Sequence, residues 1–359
     1  MTRRERMKRC YFHEETDRPA VYSRTGFPGN DSTYDSLKAY LQAHTELKEP
    51  WGTSRLVEPL PETSRTEHYS ADFERRVTTL RTPKGNLTST HLVSLKGQPG
   101  LHETHGIKTR EDAEAWLSLP LPKIAGDTAS FRAAEAAVAD RGIVDIKLGF
   151  NPAGRVADLM GSETFAMMSV TDRDIVHELC RRSMEITLSF VRFLIAQKLG
   201  PFFSMEGEEY IVPPLHGPAD FEDFNIRYDK PILDLVHSAG GRMHIHCHGS
   251  VKKVIRGFVD MGCDVLHPFE APPQGDITPA EAKAAARGRM TLEGNIQIHR
   301  MYESTADAVR QETEALLPIL FDDRRGCIIC PTASPYIRGE GEKCFPIYKA
   351  MIDAVVEGA

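Results

Sequence analysis

The sequence predicts an α/β fold, a (β/α)8 TIM barrel with a β-hairpin insertion in its N-terminal third, and three observations carry that expectation. The first is rhythm. Short apolar runs at Pro201–Met205, Arg242–His246, Asp264–His267, Met290–Glu293 and Cys327–Cys330 each precede a helical pattern. Nearly continuous apolar runs of this length are the mark of strands buried on both faces of a parallel sheet. The second is punctuation, with Pro279 suited to a first helical turn and Gly240–Gly241 to a helix end. The third is the position of the polar residues, which collect where these strands stop; a barrel keeps its active site at the C-terminal ends of its strands.

Along the chain the elements follow in order. Thr2 and Glu5 suit a capping box opening a short helix, and Ala20–Ser23 reads as a first strand. Alternation in Arg75–Leu80 and Leu87–Leu95 around Pro83-Lys84-Gly85-Asn86 predicts the inserted hairpin within the region Thr53–Leu101. Ile143–Phe150 reads as a strand ending in the turn Asn151-Pro152-Ala153-Gly154, and Asp172–Leu199 as a long amphipathic helix. The later helices are expected at Asp220–Ser238, Val251–Met261, Pro279–Arg287, Thr305–Leu320 and Cys344–Val356. Strand–helix units in succession imply right-handed parallel crossovers. With no internal repeat or low-complexity linker, a single domain over residues 1–359 is expected.

Composition narrows the function class. A hydrophobic fraction of 41% and a charged fraction of 26% are those of a globular enzyme-sized chain. The net charge of −7 and the lack of a basic stripe argue against nucleic acid as a partner. No run approaches the ~18 apolar residues of a membrane span, and the basic N-terminus lacks a signal peptide's apolar core. An odd set of 7 cysteines without paired spacing points to reduced thiols and a cytoplasmic setting.

The densest chemistry lies in Arg242-Met243-His244-Ile245-His246-Cys247-His248-Gly249. Read as a strand, it puts His244, His246 and His248 on one face and Met243, Ile245 and Cys247 on the other. Cys247 then reads as a buried structural thiol and His244, deepest in the barrel, as a hydrogen-bonded core residue. His246 and His248 with Cys330 or Glu209 make a zinc site with one open position. Other strand ends add His267, Glu270, Glu293, Asn295, Gln297, Thr332 and Ser334. Glu270, beside the stiff Ala271-Pro272-Pro273 loop, suits a general acid or base. Arg24, at the end of the first strand, suits an anionic group of a small-molecule substrate, and Tyr336 and Arg338 suit a cover over the mouth.

The chain resembles the uroporphyrinogen decarboxylase superfamily of (β/α)8 barrels over nearly its whole length. The likeness is carried by Arg4-Glu5-Arg6-Met7, Asp17-Arg18-Pro19-Ala20-Val21, Arg81-Thr82-Pro83-Lys84-Gly85, His246-Cys247-His248-Gly249, Leu292-Glu293-Gly294-Asn295-Ile296 and Gly326-Cys327-Ile328-Ile329-Cys330-Pro331. The superfamily's zinc-dependent methyltransferases use a His-x-Cys-Gly motif and a distant cysteine. Here the motif's first position is His246, its cysteine position carries His248, and the distant cysteine falls near Ala333, with Cys330 three residues earlier. The resemblance implies Asn295, in the Gly-Asn turn, and Glu293 before it as site residues. It also implies methyl transfer to or from a corrinoid. With no Asp-x-His-x-x-Gly signature in this chain, the corrinoid would arrive on a separate protein partner. A harder site than a two-cysteine one would favour a methoxy compound as donor. The family also often forms homodimers. One alternative is a cofactor-free decarboxylase: Arg24-Thr25-Gly26-Phe27-Pro28 keeps the first arginine of the decarboxylase's Arg-Gln-Ala-Gly-Arg signature but not the second. Another is a non-catalytic barrel subunit.

Overall fold

Eight strands form one curled parallel sheet in the computed structural model, which describes residues 1–96 and 100–358. In chain order they are Ala20–Val21, Leu47–Gly52, Gly142–Phe150, Phe202–Glu206, Arg242–His246, Val265–His267, Thr291–Ile296 and Cys327–Pro331. The first strand pairs with the last, and each later strand with its chain neighbour. The seam between the first two strands is drawn together by the Glu46 N–H, which donates to the Val21 carbonyl at 3.0 Å. The fold is therefore the α/β, TIM-like arrangement the apolar runs predicted.

Three elements depart from expectation. The insertion is a four-stranded antiparallel sheet, Glu62–His68, Phe73–Thr82, Gly85–Ser94 and Leu101–Thr104, rather than a lone hairpin. Its outer strands, Glu-Thr-Ser-Arg-Thr-Glu-His and Leu-His-Glu-Thr, are almost wholly exposed and carry no apolar alternation to betray them. The strand Leu47–Gly52 is hidden by Pro50 and by Lys48, a charged residue that points into the barrel. The expected helix Asp220–Ser238 runs as a short turn, a π-helical segment Phe221–Ile226 and the helix Arg227–Ser238.

The N-terminal helix Arg3–Tyr11 sets the depth of the site. The Thr2 hydroxyl accepts from the Glu5 N–H, one half of the predicted capping box, while the Glu5 carboxylate accepts from Arg9 instead. The helix then buries Met7, Cys10 and Tyr11 against Ala20, Ile143, Phe202, Val265 and Ile328. These side chains floor the barrel, with Tyr11 edge-on to Phe202 at 5.1 Å. Alternation along each strand puts the opposite residues, among them Val144, Phe203, Ile245, Leu266, Leu292 and Ile329, under the surrounding helices. Everything polar inside the barrel therefore sits above an apolar floor. No helix among the described residues is long and apolar enough to cross a membrane.

Candidate metal centre and its cationic mouth

Above the floor lies a layer of buried charge. Lys48 reaches across the barrel and donates to both oxygens of Glu293, at 2.7 and 3.0 Å. Its ammonium also lies over the Tyr22 ring, 4.9 Å from the centroid. His244 Nε2 stands 3.5 Å from Glu293, too far for a good hydrogen bond, and both of its ring nitrogens are buried without a partner. Burial pushes the His244 imidazole down to about 4, with the Lys48 charge adding to it. Burial works against Glu293, yet the Lys48 ammonium holds its carboxyl well below the usual range. The layer thus contains an ionised carboxylate, an ammonium and a neutral imidazole in a water-poor space, where each unpaired group costs most.

The next layer up belongs to His246, His267 and Arg24. Strand register sets His246 beside His267, and their Nδ1 atoms are 2.8 Å apart. Arg24 Nη1 is 3.1 Å from the first and 3.3 Å from the second. His267 Nε2 lies 3.1 Å from the Pro331 carbonyl, so the network assigns the proton to Nε2 and leaves Nδ1 as an acceptor. Burial, then the Arg24 charge, drive both imidazoles well below their ordinary range.

His244, His267 and Glu293 each offer one donor atom within 4.8 Å of the others, the only such group of three His, Cys, Asp or Glu side chains among the described residues. It could hold a metal ion, and the partnerless nitrogens of His244 support that fit. Two neutral imidazoles and a carboxylate suit a borderline cation such as zinc. Lys48 already shares the Glu293 carboxylate, so a metal there competes with, or sits beside, an ammonium.

This group differs from the ligand set expected from sequence. Of His246, His248, Cys330 and Glu209, the two imidazoles stay adjacent, with ring centroids 4.7 Å apart, while Cys330 is turned away from them. The strand ends at His246, and His248 beyond it lies against the Glu270 carboxylate at 3.1 Å. Cys330 faces the floor cluster, fully buried, with its thiol on the Pro331 carbonyl and pushed up by burial. Glu209 folds back to accept the Gly207 N–H at 3.1 Å. His244, expected to be a hydrogen-bonded core residue, has no such bond. Cys247 is buried in the outer apolar core.

The other expected residues divide. Glu270 is near the mouth, accepting from the Gly249 N–H at 3.0 Å as well as from His248. Although burial opposes it, those bonds keep its carboxyl below the usual range. Glu293 is committed to Lys48 rather than free to move a proton. Asn295 donates to the Phe269 carbonyl at 2.7 Å and keeps a buried, partnerless amide oxygen. Tyr336 and Arg338 are exposed on the loop after the last strand, where Tyr302 Oη accepts the Tyr336 N–H, and neither lines the mouth.

A cavity of about 180 Å³ opens on this layer. Tyr22, Arg24, Lys48, Asp145, Lys147 and His244 line it, so three cations face one carboxylate. Lys48, Asp145 and Lys147 escaped the sequence reading. Asp145 and Lys147 had left a signal, two charges at alternate positions in an otherwise apolar strand.

The comparisons agree with this architecture. The family model described as uroporphyrinogen decarboxylase (URO-D) matches residues 151–333. Among solved structures, a methyltransferase from Methanosarcina mazei superimposes with a TM-score of 0.65 at 14% identity, covering 100% of this chain and 99% of its own. A xylose isomerase domain protein from Planctomyces limnophilus gives a TM-score of 0.38 at 14% identity, covering 70% of this chain and 85% of its own. Among curated proteins none matches significantly. The first likeness extends the barrel with its insertion over the full chain; the second is too loose to add to it. With its matched segment running from the Asn151 turn through the histidine strand to the last strand, the chain belongs to the uroporphyrinogen decarboxylase family.

Proposed function

We propose that this enzyme transfers a methyl group between a small molecule held in the cationic mouth and a corrinoid carried by a separate protein. The observation that carries the reading is the buried group His244, His267 and Glu293, converging within 4.8 Å, with His244 also lining the cavity of about 180 Å³. These residues would hold a zinc-type ion, which when bound supplies Lewis acidity to the oxygen or sulfur that exchanges the methyl group.

The chain's own side chains do the rest. Arg24 and Lys147 in the lining favour a donor with a carboxylate or phenolate, such as a methoxy-substituted acid. Arg24 bridges His246 and His267 and so orients both rings. His248, held by the ionised Glu270, stands partly exposed where it can pass a proton to or from a leaving oxygen. The apolar floor keeps water from entering from below.

The test is metal content and turnover together. Purified chain is expected to carry zinc or cobalt stoichiometrically by mass spectrometry, and His267→Ala and His244→Ala to lose it. Methylation of a supplied corrinoid protein should fall ~10²–10³-fold in the same variants, as expected when a metal site loses a ligand. Full metal occupancy in both variants overturns the site. A second reading rests on the same three cations, which equally suit a carboxylated substrate undergoing decarboxylation with His248 returning the proton. Metal-independent release of CO2 from an aromatic or pyrrole acid would replace the first reading with this one.

A further inference from the structure

Most of the charge around the cavity is matched from within the chain. Lys48 is held on both oxygens of Glu293. Lys147 is paired with Asp145, Nζ to Oδ2 at 3.1 Å. Arg24 has no such partner among the described residues; its guanidinium meets only the imidazoles of His246 and His267. Of the cations lining the cavity, two are therefore cancelled by neighbouring acids and Arg24 is not. A ligand that completes this layer brings one negative charge to Arg24.

Asp145 sets a second condition. It is 2% exposed, on the barrel strand Gly142–Phe150, and it lines the same cavity. The pair with Lys147 uses Oδ2, while Oδ1 is buried with no hydrogen-bond partner. Ser204 on the adjoining strand acts on this carboxyl, but its hydroxyl is partnerless too, so neither group satisfies the other. A carboxylate oxygen removed from water and left without a donor is costly, and a ligand's O–H relieves that cost on arrival. The charge of Asp145 is already matched by Lys147, so a neutral donor suits it, and an ammonium would leave the layer over-charged.

We propose that the cavity selects a small acid with one negative charge and a hydroxyl group: Arg24 takes the carboxylate, and Asp145 Oδ1 accepts from the hydroxyl. Asp145 is then the residue that sets specificity in the mouth, where Arg24 sets charge. A hydroxylated methoxy acid meets both conditions. A methoxy acid without the hydroxyl leaves Asp145 unpaired, and a site built to bond a hydroxyl rejects such an analogue because its own buried group is stranded. The inference rests on the reading of this mouth as an acid-binding site, and on neither the metal nor the methyl transfer.

The experiment measures binding to the full chain by titration calorimetry at neutral pH, with para-methoxybenzoate and its meta-hydroxy derivative as probes. Wild type is expected to bind the hydroxy acid ~10–100-fold more tightly, the effect of one hydrogen bond to a charged acceptor. Asp145→Leu, close in shape but unable to accept, should erase that preference, and the isosteric Asp145→Asn should keep only part of it. Arg24→Gln should weaken both acids alike. Equal affinities in wild type, or a preference that survives Asp145→Leu, overturn the role of Asp145 while the mouth stands as an acid site. If Asp145→Leu does not fold, an unchanged preference in Asp145→Asn overturns it in the same way. Acid binding indifferent to Arg24→Gln overturns the anchor. Binding of neither acid by wild type overturns the acid-binding reading itself, and this inference with it.

Discussion

Two bidentate ion pairs show how differently this molecule's two sheets use the same chemistry. In the barrel, Lys48 grips both oxygens of Glu293 at 2.7 and 3.0 Å with neither residue exposed. In the inserted sheet, Arg75 grips both oxygens of Glu103 at 2.5 and 2.7 Å in contact with solvent. In each pair both carboxylate oxygens are held, by one lysine nitrogen inside and by two arginine nitrogens outside, but the surroundings differ. Water screens the outer pair and competes for it, so it contributes little to stability. The inner pair has given up its hydration, and each partner is needed to make the other tolerable. The difference teaches that a charge in this barrel cannot be neutral in effect: it is either matched or strongly destabilising.

The largest expected effect tests that statement directly. Glu293→Gln leaves the Lys48 ammonium buried without its counter-charge and should cost about 3–5 kcal/mol in denaturant unfolding. The double variant Lys48→Met with Glu293→Leu should recover most of that loss, because it removes both charges together. A double variant as unstable as the single would mean that packing, not charge, dominates the layer.

A smaller effect is set by acid. Burial holds His13 and His216 below the ordinary histidine value of 6.5. Below that pH the unfolded chain binds protons that the native chain refuses, so stability must fall as pH drops from 6.5. His216, edge-on to Phe165 and 3.6 Å from Asp220, is the cleaner probe. His216→Gln should make the decline of Tm with falling pH shallower, and an unchanged slope would show that His216 takes up its proton without loss of structure.

The smallest effect belongs to the insertion. Arg75→Ala should leave Tm unchanged within error, with any residual difference vanishing at high salt. A clear loss of stability there would erase the contrast between the two sheets. It would also mean that the inserted strands are coupled tightly to the barrel.

Much of the barrel was legible because its signal is local. Arg242–His246 was read to the residue, since its outer face, Met243 and Ile245, is apolar and its ends are marked by Gly241 and Gly249. The first helix was legible from Thr2 and Glu5 for the same reason. The inserted sheet was only half legible, because exposed strands such as Glu62–His68 have no buried face to impose alternation. For the site, the histidine strand was legible as a place, but not as a ligand set. Strict alternation was carried past the strand's end to His248, and nothing near Lys48 in sequence announced that it would meet Glu293, 245 residues away.

The amino-acid sequence by itself determined the parallel barrel, the family and the strand on which the chemistry is concentrated, because period, caps and motifs act within a few residues of one another. Only the tertiary structure decided which imidazoles meet which carboxylates. Closing the barrel brings His244, His267 and Glu293 together from three strands and supplies Lys48 from a fourth. Those partnerships follow from which residue each strand points inward at a given height, a consequence of register around the whole ring that no local stretch of sequence contains.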